Sequence, residues 1–172
     1  AIDKIHFDAE KYQAVYAAGN DRTQITGAPA NSPLNPAKSG FDQMVNETAS
    51  KNAVVVGAIH GFTTYTSPTA VVMTNFSQWG PTDDFRVKPD VVAKGFNVYS
   101  SNMPTAGSAN SYDYYPGTSM AAPSVTAVFG LWQQYSRILW PLGLNGQELT
   151  DRYLRSASIR ALMAHTASPA RD

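Results

Sequence analysis

Apolar positions in this chain come in short blocks separated by glycine, proline and asparagine. Residues 12–18 (YQAVYAA) are β-branched, aromatic or small, and they end in Gly19-Asn20-Asp21. The pattern predicts a buried strand closed by a turn. Residues 51–59 (KNAVVVGAI) predict a second buried strand, with His60 at its end. Shorter runs predict strands at 90–93 and 97–101, and the aromatic pair Tyr114-Tyr115 reads as one more. Residues 21–45 carry Gly27, Pro29, Pro33, Pro36 and Gly40 among small polar residues and predict a long surface loop. A turn is expected around Gly80-Pro81 and a loop at 102–111. From Ser119 the period changes. Ala121, Val125, Val128, Trp132 and Tyr135 mark one face of a helix over 119–135, and Met120, Ala127, Phe129 and Leu131 make the rest apolar. Such a helix is expected to be buried nearly all round. Pro141, Gly143 and Gly146 interrupt the chain, and a last helix is expected over 151–165, with Ile159, Leu162 and Met163 at helical spacing. Residues 1–11 carry no decisive pattern, and His6 among them reads as a surface histidine.

Composition narrows the picture. A chain of 172 residues is enough for one domain with a core, and 43% hydrophobic with 15% charged residues excludes a disordered chain. Thirteen basic and thirteen acidic residues balance to zero, so no charge excess points to nucleic acid or an anionic membrane surface. Cysteine is absent, which removes disulfides and thiolate metal sites.

The candidate chemistry lies where the last strand meets the long helix, at Tyr114-Tyr115-Pro116-Gly117-Thr118-Ser119-Met120-Ala121-Ala122-Pro123. Gly117 permits a tight turn. A serine just after it sits at the edge of a sheet, with its N–H among the free donors of a helix N-terminus. That combination suits a nucleophile attacking a carbonyl. Pro123 is expected within the first helical turn, where it breaks no bond. Asn20, at the end of the first strand, offers an uncharged amide NH₂ that could donate to a developing oxyanion; the plain alternative is a turn residue.

Gly-Thr-Ser-Met-Ala-Ala-Pro resembles the nucleophile motif of the subtilisin-like serine proteases, the subtilases, and Ala17-Ala18-Gly19-Asn20 resembles their oxyanion-hole strand. The stretches 51–59, 75–93 and 156–167 are similar to the segments the family places between and after these two, although Ala93-Lys94-Gly95 stands where Ala-Pro-Gly is common. The resemblance implies an α/β fold, a mostly parallel sheet sandwiched between helices. It implies Ser119 as nucleophile, Asn20 as oxyanion donor, and Ala17, Ala18 and Gly19 as one wall of the pocket for the residue before the cleaved bond. It further implies a polypeptide substrate, a secreted or otherwise extracytoplasmic location, and the possibility of structural calcium. No acidic cluster identifies a calcium site, and no cofactor is called for.

The family's aspartate motif and its His-Gly-Thr-His type motif do not occur in the chain. Residues 1–172 are therefore expected to be the C-terminal part of a peptidase domain, inactive alone, with the missing N-terminal half as a partner. Two other readings compete. Ser119, Asp151 and His165 follow the order of an α/β-hydrolase triad, although Ala121 replaces the second glycine of that elbow. A non-catalytic pseudoprotease or binding module would also lack the acid and base. His60 is expected to be a strand-end histidine, not the base.

Overall fold

The computed structural model describes residues 2–23, 43–44, 46–103, 111–139 and 153–170. The predicted loop 21–45 lies mostly outside these, as do the centre of the 102–111 loop and Asp151.

Three strands form a parallel sheet in the order β1 (Val15–Ala17), β2 (Val54–Ile59), β3 (Val91–Lys94). Val15 pairs with Val54, and Val56 with Val91. β2 is central and buried at every position, which is why it reads as an unbroken apolar run and not an alternating one. A separate antiparallel hairpin joins β4 (Val98–Asn102) to β5 (Ser111–Tyr115). The α/β class, the parallel sheet and all five strands agree with expectation, with ends shifted by a few residues.

Helix α2 (Thr118–Leu139) runs back along the sheet, and α3 (Ser156–Thr166) packs beside it. Val54, Val56 and Ala58 from one face of β2 meet Ala121, Ala122, Val125 and Phe129 of α2 and Ile159 and Met163 of α3. On the other face Val55 packs with Ala18 and Met44. Ser77 reaches this region too, accepting the Ala58 N–H at 2.9 Å.

Three expectations are corrected. α2 is not buried all round: Leu131 and Ile138 are 62% and 65% exposed, and Val128, Tyr135 and Leu139 are exposed with them. Only the stripe through Ala121, Val125 and Phe129 meets the sheet, because one side of a helix can face one sheet. Pro123 is not in the first turn. α2 begins at Thr118, so Pro123 is its sixth residue and cannot donate to the Ser119 carbonyl. His6 is not a surface group. It sits in a short helix α1 (Ile2–Asp8) that the sequence pattern did not announce, and it is 5% exposed. Its Nδ1–H donates to the Ile2 carbonyl at 3.0 Å and its Nε2 accepts the Ala14 N–H at 3.1 Å, so the ring links α1 to the start of β1.

Candidate active site

The candidate residues converge at the carboxyl edge of the parallel sheet, where α/β folds commonly bind ligands. Asn20 lies just beyond β1. Thr118 and Ser119 lie at the start of α2, and the two regions touch across 98 positions of sequence. Asn20 Oδ1 accepts the Thr118 N–H at 2.8 Å and the Thr118 Oγ–H at 2.9 Å. Thr118 Oγ in turn accepts the Gly19 N–H at 3.1 Å. Both donors to Asn20 occupy its oxygen, so its amide orientation is fixed and Nδ2 is left as a donor. Thr118 is fully buried, whereas Asn20 and Ser119 are exposed.

Glycines make the approach possible. Gly117 has φ +157°, a value L side chains rarely adopt, and the Asn20 Nδ2 lies 3.6 Å from where its Cβ would be. Its N–H donates to the Gly95 carbonyl at 2.7 Å. A Cβ on Gly95 would stand 2.7 Å from the Gly117 carbonyl and 2.6 Å from the Ala58 Cβ, so β3 can lie this close to the turn only with glycine there. Gly19, at φ +110°, leaves room for the Gln78 side chain, whose amide oxygen would otherwise collide with a Cβ.

Ser119 is in the first turn of α2, where backbone donors have no helical acceptor. Among the described residues neither its N–H nor its Oγ has a hydrogen-bond partner. The local arrangement therefore offers one hydroxyl and two adjacent uncharged donors, the Ser119 N–H and the Asn20 amide. Ala17, Ala18 and Gly19 approach the same edge. Ala17 packs toward the α2 side of the sheet, and Ala18, 2% exposed, packs against Met44 and Val55.

Other histidines stay apart from this centre. His60 is half-buried, with its ring 4.5 Å from that of Phe96, and its N–H donates to the Val72 carbonyl. His165 is exposed in the last turn of α3 and makes no hydrogen bond to Ser119. Among the described residues no group of three or more His, Asp or Glu is placed to hold a metal ion, and no helix is long and apolar enough to cross a membrane. The sequence reading gave Thr118 and Gly95 no role. Thr118 stood inside the quoted motif, but its pairing with Asn20 spans the chain and leaves no local signal.

The chain matches the model of the Subtilase family over residues 1–172 and belongs to that family. It is 34% identical over 137 residues to pyrolysin of Pyrococcus furiosus, covering 76% of this chain and 9% of that protein. It is 40% identical over 69 residues to C5a peptidase of Streptococcus pyogenes, covering 40% of this chain and 6% of that protein. The chain thus spans less than a tenth of the length of either curated relative. Among solved structures, the self-cleaved protease domain of PatA shares the fold, with a TM-score of 0.58 at 18% identity, over 95% of this chain and 44% of that one.

Proposed function

We propose that the chain is the nucleophile-bearing part of a serine endopeptidase. Ser119 Oγ attacks the scissile carbonyl of a polypeptide. The Ser119 N–H and the Asn20 amide hold the tetrahedral oxyanion, and Ala17, Ala18 and Gly19 form one wall of the pocket for the residue before the cleaved bond. A serine hydroxyl needs a base, so a histidine oriented by an aspartate has to come from a peptidase segment upstream of residue 1. The isolated chain is then inactive. We extend the reading to a secreted or extracytoplasmic protein, on the family resemblance.

The observation that carries this reading is the locked amide of Asn20. Its oxygen is held by Thr118, so its NH₂ is the group left for a ligand, beside an exposed serine at a helix N-terminus. The esterase alternative is not favoured by family membership, and nothing ties His165 to Ser119.

The test is active-site labelling with a fluorophosphonate. The complete protein should label at Ser119 and lose the label in Ser119→Ala, whereas the 172-residue chain should not label. Stoichiometric labelling of the isolated chain that His165→Ala abolishes would replace this reading with the hydrolase triad.

A further inference from the structure

The carboxyl edge of the sheet holds a second feature. An open cleft of about 620 Å³ lies past the ends of β2 and β3, lined by His60, Thr63, Thr64, Lys94, Phe96 and Asn97 among others. It is one residue away from the nucleophile turn: Gly95, between Lys94 and Phe96, accepts the Gly117 N–H.

The lining carries one cation, Lys94, with polar side chains beside aromatic rings, and contains no Asp or Glu. Lys94 lies across Gly61. A Cβ there would come 2.9 Å from the lysine Cε and 3.5 Å from its Nζ, so the glycine makes room for the lysine stem. Four other cations have anionic partners: Lys4 with Asp8, Arg86 with Asp84, Lys88 with Asp90, Arg155 with Glu10. Among the described residues Lys94 has neither an ion pair nor a hydrogen bond to its ammonium, and the side chains of His60, Thr63, Thr64 and Asn97 have no hydrogen bond. Several donors thus share one concave surface with their bonding capacity unused.

We propose that this cleft is a carboxylate-binding subsite for the polypeptide that docks at Ser119, with Lys94 as its specificity-determining residue. The proposal rests on the protease reading. Adjacent strands are about 4.8 Å apart, and Asn20 follows β1 while the cleft follows β2 and β3. The offset is roughly 5–10 Å, or about two to three residues of extended chain at about 3.3–3.6 Å each. An acidic side chain that far from the scissile bond would reach Lys94, with the hydroxyls of Thr63 and Thr64 as further donors.

The experiment titrates the isotope-labelled complete protein, as its Ser119→Ala form so that no peptide is cleaved, with three short acetylated peptides, read by amide chemical shifts. One carries an internal glutamate and an amidated end. Its twin carries glutamine. The third is the glutamine peptide with a free C-terminal carboxylate. The glutamate peptide should shift the amides of Gly61, Thr63, Lys94 and Phe96 and bind about 3- to 10-fold more tightly than its glutamine twin. Added salt should shrink that advantage. Lys94→Met, which keeps the apolar stem, should remove it, and Lys94→Arg should keep it. An advantage confined to the free-carboxylate peptide would support the subsite and assign it to a chain end. Equal binding of all three peptides, or a preference that survives Lys94→Met, would overturn the proposal. Because the readout is binding, either result leaves the labelling test of Ser119 to decide the protease reading separately.

Discussion

The two edges of the parallel sheet use polar groups in opposite ways. At the amino edge they are spent on the fold. His6 bonds through both ring nitrogens. Asp3 of α1 accepts from Ser50 Oγ at 2.6 Å, from the Asn52 N–H at 2.8 Å and from the Lys51 N–H at 3.2 Å. Lys88, buried, binds the Ala53 carbonyl and Asp90, and Asp90 also accepts the Val55 N–H. At the carboxyl edge, Ser119, the NH₂ of Asn20 and the ammonium of Lys94 remain available. The difference teaches where to look for chemistry. One edge ties loops and helices to the strands, and the other holds donors in place without satisfying them.

The comparison predicts that carboxyl-edge substitutions act on activity and amino-edge ones on stability. On the proposed mechanism the largest expected effect is that of Ser119→Ala in the complete protein, which would remove the covalent route. By analogy with a subtilisin, kcat should fall by about 10⁶-fold with the thermal transition unchanged. Peptide-anilide kinetics and calorimetry read the two quantities. Substantial turnover in that variant would remove Ser119 from the site.

Asn20 comes next and sharpens the contrast, because its proposed oxyanion role adds to its bonds with Thr118. Asn20→Ala should lower kcat by about 10²–10³-fold, a magnitude taken over from removal of an oxyanion donor in a subtilisin. It also leaves the buried Thr118 N–H without its acceptor, so some stability should go with it. Asn20→Asp keeps an acceptor for Thr118 but places an anionic oxygen where the donor was. It should lose at least as much kcat and less stability. Near-normal kcat in a folded Asn20→Ala enzyme would reduce Asn20 to a turn residue.

At the amino edge, His6→Ala should destabilise the 172-residue chain by about 2–3 kcal/mol, since it orphans the Ala14 N–H and empties the ring's space. Denaturant unfolding measures it. No change would mean that α1 is not coupled to the sheet.

The same contrast explains what the sequence made legible. β2 was readable because a strand buried on both faces must be apolar throughout. The β5–Gly117–Ser119–α2 passage was readable because a sharp turn before a helix requires a small set of residues in order. The burial of His6 was not readable. Its partners are backbone groups of Ile2 and Ala14, and backbone groups carry no sequence signature. The exposed flank of α2 was not readable for a related reason: Leu131 and Ile138 are as apolar as Val125 and Phe129, so composition cannot say which side meets the sheet. The roles expected for Asn20 and Ser119 came from motif resemblance, whereas the hydrogen bonds that orient Asn20 depend on tertiary contact alone.

The smallest expected effect concerns Asp3 and acid. Burial opposes ionisation of its carboxyl, but the Ser50 hydroxyl and the N–H groups of Asn52 and Lys51, with the positive charge of Arg86, outweigh it and lower the pKa from 3.8 to about 2. A depressed carboxylate pKa stabilises the fold above the unfolded value and loses that contribution as pH falls through the folded one. The window is therefore pH 4 down to 2, and after solvent screening the contribution is about 1 kcal/mol. Asp3→Asn keeps one acceptor but turns an NH₂ toward the remaining donors. The variant should be less stable at pH 7, and its thermal transition should fall less steeply through the window than that of the unmodified chain. Lys94→Met, at the other edge, should leave that slope unchanged. If Asp3→Asn lost stability with acid in parallel with the unmodified chain, Asp3 would not be part of what holds the amino edge together at neutral pH.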